Sequence, residues 1–487
     1  MNENKLSLED VLGASLVSSK MRNAMTLWEK MYRDEPPWKK EATLDDPTEI
    51  VTIGLPALIA SEKARMATLE MKSTVTSASS SENAIESEYI KFLNDNYQEK
   101  VVSKIREKLE YSAMIGGLII KPYVVINGDY KTVEFDFILQ NNFIPIAFDA
   151  SGKIVDAAFL QTKTTAKRIY TRLERHTKQG NSVVVKNTAY VKNIDMQTNI
   201  NITYLGQQIP LSSVPEWESL EPETVFNGVD RLLFAYLKIP DANNIDLYSP
   251  LGVSVYSRAC ELIKQADVQF SRLLWEFKGG ELAIDVDRNA LIDNSYKDDD
   301  GNIHNRTSLG IMQQRLFRKT GVDTSIGETY NVFSPALRDT SILNGLNSIL
   351  MKIEDATALS RGTLSDVNLT ERTATELKIN KQRTYQSNSE IQKALENALK
   401  DVIYSISAYV EYYDMFPIED YAVSFSWDDS VINDAQEEIK TRLILMQNGI
   451  ESKLNIRMWY FGETEEQARA ALAQVEQESE GIMLEEE

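Results

Sequence analysis

Apolar positions recur every three to four residues early in the chain, then every two, then every three to four again, and these changes of period divide it into segments. Met21, Met25, Trp28 and Tyr32 form one stripe at spacings of 4, 3 and 4, and Pro36-Pro37 ends the run. The first hundred residues therefore read as helical, with Trp38 in the loop that follows. From Tyr123 the apolar runs shorten and alternate. Val133, Phe135 and Phe137 come after Asn127-Gly128, a dipeptide that predicts a hairpin because both turn residues must tolerate positive φ. A second turn is expected at Asp149 to Gly152, and Ile200, Ile202 and Tyr204 alternate, so residues 120 to 240 read as mainly strands.

Ser249 at an N-cap and Pro250 at the first helical position predict a helix start. Val255, Ala259, Leu262, Ala266, Phe270, Leu273 and Phe277 continue the stripe, and Gly279-Gly280 supplies the stop. A helix over 250–277 would be about 42 Å long at 1.5 Å per residue. The next segment, 278–335, carries strand-like ELAIDV, an acidic turn at Asp298-Asp299-Asp300-Gly301 and a basic stretch from Arg306 to Lys319. Helical period returns with Ile342, Leu346, Ile349, Ile353 and Ala356, so two helices are expected to pair antiparallel with the insertion at their far end. After a polar segment, 358–372, Thr373-x-x-Glu376 has the form of a capping box and opens a helix expected to reach about Tyr413. Its stripe is Ile391, Leu395, Leu399, Ile403, Ile406 and Val410. Tyr421, Val423, Phe425 and Trp427 then alternate as a strand, and the remainder reads as helices broken at Asn448-Gly449.

Composition narrows the function. The 487 residues carry 52 Lys+Arg against 73 Asp+Glu, a formal charge of −21. Affinity for phosphates comes mostly from Lys and Arg displacing counterions, so so acidic a chain is not expected to wrap nucleic acid tightly. One cysteine, Cys260, excludes an internal disulfide framework, and with only His176 and His304 there is too little Cys and His for a structural zinc site. Both histidines lie in polar sequence and read as surface or loop residues. The N-terminus does not read as a signal peptide, and the longest apolar run, Ala113 to Ile120, falls far short of the ~20 residues a bilayer needs. No phosphate-binding glycine loop and no H-E-x-x-H occurs. Asp285 and Asp287 open like a calcium loop, but Ala290 stands where that loop needs Gly and Tyr296 where it needs Glu. With Asp298 to Asp300 these acids form the one candidate for a metal-dependent nuclease centre, against the simpler reading of a strand end and a turn.

Positive charge gathers in two places. Residues 358–384 hold Arg361, Arg372, Lys378, Lys381 and Arg383 against Asp366, Glu371 and Glu376, and residues 306–319 hold Arg306, Arg315, Arg318 and Lys319 with no acid. Each set reads as a solvated face in an isolated chain, whereas copies arranged around an axis would turn it into a ring of charge.

The chain resembles the portal proteins of tailed bacteriophages, specifically those of long-tailed phages of Gram-positive bacteria. The likeness runs through W-x-x-x-Y with Pro37-Trp38, Ile53-Gly54-Leu55-Pro56, Gly116-Gly117 with Lys121, and Pro145-Ile146 before Asp149. It continues through Pro240 with Asn244, Ser249-Pro250-Leu251-Gly252, Thr373-Ala374-Thr375-Glu376 and Asp428-Asp429-Ser430. The order of these pieces around the helix, insertion, helix, loop, longer helix pattern carries the resemblance.

What the resemblance implies is an α+β, mainly helical portal fold with wing, stem, clip and crown. Residues 1–249 would be the wing, 250–277 the first stem helix, 278–335 the clip and 336–357 the second stem helix. Residues 358–372 would be the tunnel loop, 373–414 the helix linking wing to crown, 415–430 a strand returning to the wing, and 431–487 a short crown. The implied function is a non-enzymatic, cofactor-free dodecameric ring in the virion, assembled in the host cytoplasm, through which double-stranded DNA is packaged and later ejected. Implied partners are the terminase large subunit, a head-completion adaptor, and the major capsid and scaffolding proteins, with no membrane. On this reading Arg361, Arg372, Lys378, Lys381 and Arg383 face the DNA channel, and Arg306, Arg315, Arg318 and Lys319 form the clip's partner surface. The competing readings are a metal-dependent enzyme acting on nucleic acid through Asp285 to Asp300, and another viral shell protein.

Overall fold

The computed structural model describes residues 6–13, 17–40, 50–69, 71–78, 87–128, 130–150, 152–194, 204–287, 294–297, 299–301, 303–306, 317–320, 330–366, 374–427, 435–461, 465 and 468–473. Two compact units are present, Met1–Thr68 with Thr74–Ser424, and Leu69–Ser73 with Phe425–Glu487. The helices are α1 (Leu8–Leu12), α2 (Ser19–Tyr32), α3 (Leu55–Thr68), α4 (Glu88–Lys100), α5 (Ile105–Ile115), α6 (Cys260–Gly279), α7 (Asp339–Ala356), α8 (Ala374–Tyr412), α9 (Ala435–Gln447) and α10 (Lys453–Phe461). The strands begin with β1 (Leu6–Ser7), β2 (Lys72–Ser77), β3 (Gly117–Asn127), β4 (Tyr130–Leu139), β5 (Phe143–Phe148), β6 (Ile154–Thr164), β7 (Arg168–Gln179) and β8 (Ser182–Asn193). They continue with β9 (Tyr204–Ile209), β10 (Glu223–Asn227), β11 (Ala235–Lys238), β12 (Ala283–Asp287), β13 (Asn294–Lys297), β14 (Ile303–Arg306), β15 (Phe317–Thr320), β16 (Tyr330–Phe333) and β17 (Tyr421–Ser426).

The helical stripe of α2 is buried through Met21, Met25, Trp28 and Met31, and Ser18 caps the helix by accepting from the Met21 N–H at 3.3 Å. The predicted hairpin forms with its turn one residue later than Asn127-Gly128: Asn127 is the last residue of β3, paired with Tyr130 and without positive φ, Gly128 has φ 63°, and β3 and β4 pair as far as Leu118↔Leu139. The second turn also forms, with the Gly152 N–H donating to Asp149 O between β5 and β6. The larger sheet has the order β1-β9-β8-β7-β6-β5, with β10 also pairing β8, and a smaller one has the order β11-β3-β4. Ile200 and Ile202 lie outside the described residues. Two strands among the first hundred residues escaped the helical reading: β1 pairs with β9, and β2 pairs with β17 and alternates buried and exposed positions.

His176 corrects the sequence reading. It is fully buried on β7 rather than at the surface, edge-on to Phe159 and Phe234. Its Nε2 lies 2.7 Å from Glu174 Oε1, and Glu174 also meets Lys121 Nζ of β3 at 2.7 Å and Arg172 Nη2 at 3.0 Å. Lys121 thus ties the small sheet to the large one through a buried carboxylate, which its neighbours hold well below the ordinary carboxylate range against the opposing effect of burial. The Glu174 carboxylate is the shared partner of these internal polar groups, while Arg172 Nε and His176 Nδ1 are buried without a hydrogen-bond partner among the described residues. His304 lies on β14.

The Ser249-Pro250 start is also corrected. The chain from Leu251 to Tyr256 is buried but not helical, a 3-10 turn spans Ser257–Ala259, and α6 begins at Cys260. The 20-residue helix is therefore about 30 Å long. Ser249 Oγ accepts from the nearby Leu251 N–H, and the following backbone lies against the end of α5, where the Val255 N–H donates to Ala113 O at 3.0 Å. Gly252 is required there, because a Cβ on it would come 2.0 Å from Gly116 O.

α6 and α7 pair antiparallel, as expected. Glu276 of α6 meets Arg338 just before α7 at 2.7 Å, and further along Gln269 donates to Ile342 O. Ile263, Ala266 and Leu273 on one helix and Leu346 and Ile353 on the other are buried. Between them, β12 pairs parallel with β15 and antiparallel with β16, while β13 and β14 form a hairpin. The stripe of the 39-residue α8 is buried from Ile391 to Val410 and packs against α3, β3 and β11. In the smaller unit, α9 and α10 are separated at Asn448-Gly449 as predicted, with Gly449 at φ 70°.

Candidate functional site

The segment between α7 and α8 is built from the last turn of α7. Its helix ends with Ala358 in the left-handed region at φ 52° and the Leu359 N–H donating back to Glu354 O at 2.9 Å. A side chain in that conformation costs about 1–2 kcal/mol. Lys63 of α3 offsets part of it, donating to Ala358 O at 3.1 Å and to Ser387 Oγ of α8 at 2.9 Å.

Glu354 then organises the loop. Its carboxylate is buried, and Oε1 accepts from the N–H groups of Gly362, Leu364 and Ser365 at 3.0, 2.6 and 2.9 Å. Oε2 accepts from Ser365 Oγ at 2.7 Å. Asn347, two turns earlier on α7, takes both backbone groups of Asp366 at 2.8 Å. Residues 358–366 are therefore held to the helix by side chains, doing for this loop what a ladder does for a strand.

Asp355 holds the charges. Its Oδ2 lies 2.8 Å from Arg361 Nη2, and its Oδ1 lies 3.6 Å from Nη1 of Arg383. Nη2 of Arg383 also donates to the Asp355 carbonyl at 2.6 Å. The Arg361 hydrogen bonds hold the Asp355 carboxyl below the ordinary range, with the charges of Arg361 and Arg383 adding to the effect. Two acids in the last turn of a helix oppose its dipole, each by about 0.3–1 kcal/mol. Pairs whose arginine side chains stay 39% and 55% exposed return little stability, about 0–1 kcal/mol.

Beside the loop lies a cavity of about 240 Å³ lined by Lys63, Asp241, Arg258, Asp355, Arg383 and Glu390 among others. Burial lowers the Lys63 pKa to about 8.

Of the residues predicted to face a channel, Arg361 and Arg383 are brought together on Asp355. Lys378 and Lys381 lie on α8, but their side chains are outside the described residues, as is Arg372 altogether. Arg306 falls on β14 and Arg318 and Lys319 on β15, with their side chains likewise outside, and Arg315 is outside entirely. The sequence reading missed Glu354, Asp355, Asn347 and Lys63. An acidic pair against the dipole of a helix end was the available signal. Among the described residues no group of three or more His, Cys, Asp or Glu is placed to hold a metal ion. No described helix is long and apolar enough to cross a membrane.

Helices and sheets together make an α+β fold, with a loop clamped between the antiparallel pair and the longest helix. The family of phage portal proteins, SPP1 Gp6-like, matches residues 22–482, and the chain belongs to it. It is therefore a structural protein of the capsid's portal vertex, and membership implies an oligomeric ring with capsid and terminase partners. A search of curated proteins gave no match.

Proposed function

We propose that copies of this chain close into a dodecameric ring in which α6 and α7 form the stem, 278–335 the clip and 358–372 the segment nearest the DNA. The terminase large subunit drives double-stranded DNA inward through this ring, and a head-completion adaptor later seats on the clip. Residues 1–249 with 415–430 form the wing, and the short crown is 431–487. Assembly takes place in the host cytoplasm with major capsid and scaffolding proteins, without enzymatic activity of the ring's own.

The family match across residues 22–482 carries this reading. Its physics suits a conduit. With a net charge of −21 per chain, most of the wall repels phosphates within a Debye length of about 8 Å, so DNA can slide without adhering. Sparse cations from Arg361, Arg372, Lys378, Lys381 and Arg383 then hold the duplex loosely at one level.

Negative-stain microscopy of the purified protein tests the architecture: rings with a central hole are expected, and closed shells or solitary chains would refute it. Charge reversal of Arg361 and Arg372 together tests the channel. Altered packaged length or DNA retention with intact rings is expected; unchanged values would remove these residues from the DNA path.

A further inference from the structure

We infer that Asp355 is a charge-regulating residue of the DNA-facing segment, which by occupying Arg361 and Arg383 limits how strongly the ring grips the duplex. The inference rests on the proposed placement of 358–372 at the DNA.

Three observations converge on it. One carboxylate serves both guanidinium groups, at 2.8 Å to Arg361 and 3.6 Å to Arg383, from two different elements. Asp355 stands in the last turn of α7, where an acid opposes the helix dipole, so the helix itself does not favour it. Both pairs are too exposed to hold the fold, and the loop backbone is already fixed by Glu354 and Asn347. What remains for Asp355 is electrostatic. A guanidinium already bound to a carboxylate releases fewer counterions when it meets a phosphate, because it must first exchange one anion for another. The same carboxylate repels the phosphate directly. Duplex passing the loop thus meets damped cations rather than free ones.

The chemistry recognised is the phosphate backbone, irrespective of base sequence. The closing experiment measures binding of a blunt duplex to assembled rings as a function of salt. Variants are Asp355→Asn, Asp355→Glu, Arg361→Gln with Arg383→Gln, and Asp355→Asn combined with both glutamines. Asp355→Asn is expected to bind more tightly at low salt and to show a steeper salt slope. Two added phosphate contacts correspond to about a tenfold greater loss of affinity between 50 and 200 mM salt. Asp355→Glu should keep the wild-type slope, and the triple variant should lose the gain. A merely structural role would change ring stability without moving that slope.

An unchanged slope in Asp355→Asn overturns the inference if the double glutamine variant still weakens binding. If the double variant changes nothing either, the placement of the loop at the DNA is what fails. Should Asp355→Asn and a second variant, Asp355→Ser, both fail to assemble while Asp355→Glu assembles, the carboxylate is a structural requirement and the inference is overturned.

Discussion

The Lys63 ammonium lies 3.1 Å from the carbonyl oxygen of Ala358, joining α3 to the turn that leaves α7 across 295 residues of sequence. It is buried, and its second partner, Ser387, belongs to α8. One side chain of α3 therefore meets two further segments at the point where the loop begins. Burial lowers its pKa from 10.5 to about 8, so between these values the unfolded chain binds more protons than the folded one. Stability then rises with pH across that window, by up to about 3 kcal/mol at 1.36 kcal/mol per unit. Denaturant titrations of wild type and Lys63→Met between these pH values should show this rise in the wild type alone; parallel curves would mean that Lys63 is charged and solvated in the folded state.

His176 gives a dependence of the same sign at lower pH. Burial lowers its pKa below the ordinary value of 6.5, outweighing the attraction of Glu174. The unfolded chain takes up the proton first as pH falls, so stability declines below about pH 6.5. Glu174, held below the usual carboxylate range, adds stability that persists to lower pH and is lost only as pH falls through its depressed folded value. His176→Gln, which retains a donor toward Glu174, should flatten the decline between about pH 6.5 and 5 while leaving the lower limb in place. Thermal melts across that range measure it.

Removing the Glu354 side chain leaves three loop N–H groups and one hydroxyl without their acceptor. Glu354→Ala is expected to cost about 2 kcal/mol, less than the sum of its bonds because the freed groups can turn to water. Trypsin should then cut after Arg361 much faster than in the wild type. Equal cleavage rates would show that the carboxylate does not restrain the loop.

Replacing Arg306, Arg315, Arg318 and Lys319 with Ser should weaken recovery of the head-completion adaptor in a pull-down while rings still form. A surface set of this kind is expected to change stability by no more than about 0.5 kcal/mol per residue. Full adaptor recovery would assign the four cations to an ordinary solvated face.

Much of the scaffold was legible because its determinants are local. Gly128 marks a turn by its backbone freedom, although the turn falls one residue beyond the Asn127-Gly128 pair, and the stripe from Ile391 to Val410 buries as one helical face. Ser249-Pro250 misled because a capping preference near 1 kcal/mol yields to the packing of Gly252 on Gly116, a contact between residues far apart in sequence. His176 misled because β7 has buried residues on both faces, and a polar residue in a polar run carries no periodic mark of burial. Of the site, Arg361 and Arg383 were visible as charge, but not the fact that one acid holds both. Glu354 sits in a helical pattern as one more polar position, and its role depends on a loop whose course no spacing rule supplies.

The insertion carried by α6 and α7 departs and returns through a single narrow clasp: Glu276 grips Arg338, and Gly280 lies so near Leu337 that a Cβ there would come 2.0 Å from its Cδ2. With both ends of the excursion pinned together, its length and sequence have little leverage over the helices beneath it. The segment can therefore be exchanged as a cassette, letting its outward face change while the supporting rods keep their register.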